Sequence, residues 1–143
     1  MSEHRAVTSA VEFVLTLAIA TALMSGLIVA ASDTVERQKT VTAQSQMESV
    51  GHQVAGTIES ADRLHRTATT TTTLRLERDL PPALVQRGYA IEVTASEVVV
   101  TSPLVERPVS VALDSDTPVA QTTTKGGDIA VRYTGTRLEV VDD

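Results

Sequence analysis

The chain has 143 residues, enough for one folded domain, and carries a formal net charge of −6. It has no cysteine, which excludes disulfides, thiolate metal sites and cysteine nucleophiles, and its acidic balance argues against a general binder of nucleic-acid phosphates. Aromatic residues make up only 2% of the chain, so any core must be built from Val, Leu, Ile and Ala.

The chain uses the charged residue types unevenly. Acids outnumber bases 18 to 12, ten of the bases are Arg and only two are Lys, and the chain has 21 Thr. An acidic, lysine-poor and threonine-rich composition is typical of salt-loving organisms, because an excess of carboxylates keeps a surface hydrated. A GC-rich genome that favours the codons of Arg, Thr, Ala and Val is the alternative explanation.

The first element in chain order is an apolar helix. Residues 13–32 are 20 consecutive residues without a charge. At 1.5 Å per residue a helix of that length spans about 30 Å, the thickness of the hydrocarbon core of a bilayer. We predict a transmembrane helix over residues 7–32. Arg5 before it, with Asp33 and Glu36 after it, favours a cytoplasmic amino terminus and an extracellular carboxyl-terminal domain.

A cleaved secretory signal peptide is an alternative interpretation of this segment. The apolar core of such a peptide usually has about 7–15 residues and ends at a site of small residues. The apolar run of this chain is longer, and Ala30, Ala31 and Ser32 match such a site only loosely.

Glu12 lies at the start of the apolar run. A carboxylate in hydrocarbon costs a few kcal/mol unless it reaches the interface or finds a partner. Because a helix over residues 6–32 would be about 40 Å long, Glu12 can lie at headgroup level. It can equally pair with the terminal ammonium or hydroxyls of a neighbouring subunit, since Thr8, Ser9 and Thr16 lie within about 60° of it around the helix.

Small residues recur on one side of the same helix. Every fourth position is small at Ala18, Ala22, Gly26 and Ala30. Small residues at this spacing let helix backbones approach closely, which is how helices associate in lipid. Alanine is common in membrane helices, so chance can also produce the row. Together with Glu12, the row predicts an assembly helix that packs against copies of itself.

Residues 33–66 are polar but keep a helical period, which predicts an amphipathic continuation of the helix. A membrane helix followed by a separate amphipathic helix is the alternative. The Thr-rich residues 67–73 should end the helix and form a linker, because β-branched side chains lose rotamer freedom in a helix. Seven apolar residues share an arc of about 120° on the helical wheel: Ala43, Met47, Val50, Val54, Ile58, Ala61 and Leu64.

From residue 74 to residue 143 the apolar period changes to two, which predicts about five to six short antiparallel strands in one extracytoplasmic β domain. Pro108 predicts an edge strand or a bulge over residues 105–113. Lys125-Gly126-Gly127 predicts a hairpin turn. The predicted fold class is α+β, with a long amino-terminal helix whose amphipathic second half packs on a small antiparallel sheet.

The sequence contains no recognisable catalytic, cofactor-binding or metal-binding constellation, so we predict a protein that is not an enzyme and needs no cofactor. His52 and His65 would lie about 140° apart on a helix and cannot ligate one ion from a shared face. Asp114 and Asp116 lack the glycine and the closing glutamate of a calcium loop, which favours a solvated turn.

The amino terminus carries a motif. Residues 1–6 are a short polar leader, and Arg5-Ala6-Val7-Thr8 before the apolar run resembles the class III signal peptide of archaeal type IV pilin-like proteins. The whole chain looks most like the small pilin-like proteins of haloarchaea. In that family a membrane prepilin peptidase cuts after a small residue that follows a basic one, and the matching bond joins Ala6 and Val7. Bacterial pilins have Glu as the fifth mature residue, whereas this cleavage makes Glu12 the sixth.

The resemblance implies a minor pilin or pseudopilin that assembles through its apolar helix into a surface filament or a secretion-type machine. Its implied partners are the membrane, prepilin peptidase and other pilin-like subunits or copies of itself, with an assembly ATPase and platform protein acting indirectly; no nucleic acid is expected. Two alternatives remain: a single-pass anchored extracellular β domain that binds a partner without assembling, and a small secreted β protein.

Overall fold

The computed structural model describes residues 2–69 and 73–143, with side chains described from residue 8 onward. The chain divides into two compact units, Met1–Gln38 and Lys39–Asp143. The described residues form one helix and seven strands: α1 (Ser2–Thr67), β1 (Arg75–Arg78), β2 (Ala90–Val93), β3 (Glu97–Ser102), β4 (Val105–Ala112), β5 (Thr122–Lys125), β6 (Ile129–Tyr133) and β7 (Leu138–Asp142).

The single helix α1 confirms the prediction of one long amino-terminal helix. It ends at Thr67, the first residue of the predicted linker, and the N–H of Ala68 still donates to the carbonyl of Leu64 at 3.1 Å. Residues 70–72 of the linker lie outside the described residues.

The apolar stripe of the second half of α1 is buried as predicted, except at its end. Six of its members are at most 2% exposed: Ala43, Met47, Val50, Val54, Ile58 and Ala61. The prediction is wrong for Leu64, which is 49% exposed. In that turn the buried side chain is Asp62, because the loop at residues 116–117 closes over the helix on the Asp62 side.

The strands form two antiparallel sheets rather than the single small sheet that the sequence predicted. One has the order β4-β3-β2-β5 and the other the order β1-β6-β7. The α+β class is therefore confirmed, while the predicted five to six strands are too few. The two sheets adjoin at β5 and β7, where a single parallel bridge joins Val119 to Leu138.

Pro108 lies in β4, which is an edge strand of the four-stranded sheet, as its missing N–H predicts. The register with β3 also shifts between Val100 and Ser102, so the strand pair carries an irregularity as well.

The predicted hairpin at Lys125-Gly126-Gly127 is wrong, because these residues carry the chain from one sheet to the other. β5 pairs with β2, whereas β6 pairs with β1 and β7. The N–H of Gly126 donates to the carbonyl of Tyr89 at 3.0 Å, and a Cβ on Gly126 would lie 2.2 Å from Cε1 of the Tyr89 ring. Gly127 has a φ of +129°, which favours glycine. The two glycines thus serve a close approach and a left-handed turn between sheets.

Alternate residues of the strands complete the core beneath α1. On β2 and β3 the side chains of Ile91, Val93, Val98 and Val100 are all fully buried. In the three-stranded sheet, buried side chains alternate on β7 at Leu138 and Val140, whereas three consecutive side chains of β6 are buried, Ile129, Ala130 and Val131. The domain thus buries its sheets against its own helix.

Two glycines of α1 offer a matched test of this packing. A Cβ on Gly51 would lie 2.7 Å from Cγ2 of Val111, whereas a Cβ on Gly56 would meet nothing within 4 Å. Alanine removes a helix-propensity cost of about 1 kcal/mol at either position. We expect Gly56→Ala to raise the free energy of unfolding by about 0.5–1 kcal/mol. We expect Gly51→Ala to lower it by about 1 kcal/mol, because overpacking against a stiff valine outweighs that gain.

Urea denaturation of both full-length variants in detergent, followed by circular dichroism, measures these changes. Equal stabilisation by the two substitutions would contradict the close approach of α1 to β4 at Gly51.

Candidate assembly segment

The first unit of the chain presents an apolar surface without a covering. Every described side chain from residue 8 to residue 38 is exposed. α1 is long and apolar enough to cross a membrane, and an 18-residue window within it reaches a mean hydropathy of 2.3 with none of it buried. A helix with this exposed surface fits a transmembrane or signal helix. Its large exposed side chains include Val11, Phe13, Val14, Leu15, Leu17, Ile19, Leu23, Met24, Leu27, Ile28 and Val29.

The hydroxyl groups of this segment are satisfied by its own backbone. Each Ser or Thr between residues 13 and 34 donates to the carbonyl four residues earlier, at 2.8–3.1 Å. The donors are Thr16, Thr21, Ser25, Ser32 and Thr34. A hydroxyl bonded in this way costs little in hydrocarbon, because no unsatisfied polar group faces the lipid. The polar residues of the segment are therefore compatible with a bilayer.

The small-residue row lies along one side of this helix. Ala18, Ala22, Gly26 and Ala30 are all exposed, and each step turns about 40° around the axis. A Cβ on Gly26 would meet nothing within 4 Å. The packing of the described chain therefore gives no reason for glycine at this position, and a larger side chain fits there without a clash.

Glu12 is exposed, and its backbone carbonyl accepts the hydroxyl of Thr16 at 2.8 Å. It precedes Ala30 by 18 residues, which is about five turns, so the two lie at the same angle around the helix. Glu12 thus lies at the edge of the face that carries the small residues. A second helix that packs on that face would contact both Glu12 and the small residues.

The predicted leader-cleavage residues Arg5, Ala6 and Val7 belong to α1 by their backbone, but their side chains fall outside the described residues. The cleavage therefore stays a prediction from sequence.

The described residues contain no group of three or more His, Asp or Glu side chains that could hold a metal ion. His52 is exposed on α1, and the His65 ring stacks on that of Tyr133 with centroids 3.9 Å apart. The two histidines thus have different surroundings. That the protein is not an enzyme stays a prediction from sequence.

A buried carboxylate that sequence reasoning missed joins α1 to the loop before β5. Asp62 is 4% exposed and accepts hydrogen bonds from the N–H groups of Thr117 at 2.9 Å and Asp116 at 3.4 Å, and from the Thr117 hydroxyl. Arg66 lies 3.7 Å from it and also pairs with Asp116. Burial alone would raise the pKa of Asp62, but the hydrogen bonds from Thr117 and Asp116 and the charge of Arg66 together hold it below its ordinary 3.8.

Asp62 could be missed because it falls outside the apolar arc of the wheel, where a carboxylate is expected to face water. The sequence offered one signal, the spacing of four residues between Asp62 and Arg66. This spacing is common on exposed helix faces and does not indicate burial. We call this group of residues, Asp62, Arg66, Asp116 and Thr117, the clasp. Its role is structural, since the groups that bind the Asp62 carboxylate all belong to the domain itself.

An open groove of about 660 Å³ lies at one end of the four-stranded sheet. Its walls are largely apolar and include Tyr89, Pro103 and Pro108, with Lys125 and Glu106 among the lining residues. It contains none of the residues that the sequence singled out as site residues.

The chain belongs to the family of unknown function DUF7266, whose sequence pattern matches residues 2–141. The matched range runs from the start of α1 into β7, so the apolar segment and both sheets are part of the family pattern. No curated protein and no solved structure matches the chain.

Proposed function

We propose that this protein is a type IV pilin-like subunit, a minor pilin or pseudopilin, that is anchored in the cell membrane by α1 and assembles through the same segment. The observation that carries the proposal is the exposed apolar surface of residues 8–32 in a chain whose second unit, Lys39–Asp143, buries its own core. A domain that is already complete has no need of this surface for folding. The surface is therefore available to lipid and then to other helices.

The family match supports treating the apolar helix as part of the protein's function. The pattern of this family covers the apolar helix together with both sheets. In this proposal the amino terminus is cytoplasmic and the β domain extracellular, prepilin peptidase removes residues 1–6, and further pilin-like subunits or copies of this chain are the assembly partners. The role is structural and requires no cofactor.

The mature amino terminus tests the proposal. We expect mass spectrometry of the protein, isolated from membranes of a host with an archaeal prepilin peptidase, to find Val7 as the first residue. An intact Met1 or Ser2 would instead favour a simple membrane anchor, and a start near Asp33 would favour a secreted protein.

Replacing Arg5 by alanine should reduce this processing, because the resemblance assigns recognition to a basic residue before the small one. We expect the uncleaved precursor to accumulate at least several-fold relative to the unaltered chain on gels and by mass spectrometry. Glu3→Ala changes a charge two residues away and should leave processing unchanged. If Arg5→Ala is processed like the unaltered chain, the leader assignment is wrong.

Replacing Gly26 by leucine should weaken assembly and spare membrane insertion. The added side chain has free space in the chain itself and adds apolar surface, so only a helix packed on the small-residue row would be displaced. The matched control is Ala20→Leu, which adds bulk about 120° away around the same helix. Crosslinking in membranes and electron microscopy of sheared cell-surface material measure assembly.

We expect Gly26→Leu to lose most of the crosslinked or filamentous material, while Ala20→Leu retains it and both fractionate with the membrane. Unchanged assembly of Gly26→Leu would remove the small-residue row from the interface. A protein that stays in the membrane but forms no complexes even when unaltered would favour the anchored, non-assembling alternative.

A further inference from the structure

We draw no further inference here: the strongest candidate, the open apolar groove at the end of the four-stranded sheet between Tyr89, Pro108 and Lys125, carries nothing because nothing in the described part of the structure shows what covers it.

Discussion

Replacing Asp62 by alanine is expected to lower the free energy of unfolding by about 3 kcal/mol. The substitution leaves the N–H groups of Thr117 and Asp116 and the Thr117 hydroxyl, whose hydrogen bonds to Asp62 are partly buried, without their acceptor. Hydrogen bonds to a charged group contribute about 1.5–3 kcal/mol each, and the loss is partly offset when water enters the site. Urea denaturation of the full chain in detergent measures the change. Asp114→Ala, which removes an exposed carboxylate from the same loop, is the matched control and should change stability by less than about 0.5 kcal/mol.

The same clasp predicts a dependence of stability on pH. Because the folded-state pKa of Asp62 lies below its ordinary value of 3.8, its contribution is present above that value and is lost as the pH falls through the folded-state pKa. We expect the difference in stability between the unaltered chain and Asp62→Asn to be constant near neutral pH and to shrink as the pH falls below 3.8. If the difference in the free energy of unfolding stays constant as the pH falls below 3.8, the charge of the Asp62 carboxylate does not contribute to this stability.

Replacing Ile58 by alanine is expected to cost about 2–5 kcal/mol, because it leaves a cavity between α1 and the sheets. Ile58 is fully buried, whereas Leu64, which belongs to the same predicted stripe, is 49% exposed. Leu64→Ala should therefore change the free energy of unfolding by less than about 0.5 kcal/mol. Thermal and urea unfolding of the two variants decides the question. Similar losses from both substitutions would mean that Leu64 is buried in solution.

The parts of the fold that could be predicted are those governed by local periodicity. Six of the seven stripe residues of α1 are buried because a period near 3.6 defines which side of a helix meets a core. The strands from β1 to β7 lie where the period changes to two, and Pro108 lies on an edge because it has no N–H to donate. These rules act within a few residues and need no knowledge of the partner.

The parts that could not be predicted depend on contacts between distant residues. The turn chemistry of Lys125-Gly126-Gly127 is the same for a hairpin and for a connection between sheets, and the choice is made by the pairing of β5 with β2. The burial of Asp62 depends on Thr117, which lies 55 residues later in the chain. In the candidate assembly segment, the sequence identified the apolar run and the small residues. The open space beside Gly26 could be seen only in the structure.

The hydroxyl groups of the apolar segment have a consequence for transport between environments. Because Thr16, Thr21 and Ser25 donate to carbonyls of their own helix, the donor and the acceptor of each hydrogen bond move together with the helix. Sliding the segment out of a bilayer and into a bundle of proteins then breaks none of these bonds and leaves none to be remade. Under the proposed function, the hydroxyl groups of Thr16, Thr21 and Ser25 would therefore add no energetic barrier when a subunit leaves the lipid for the bundle or returns to it.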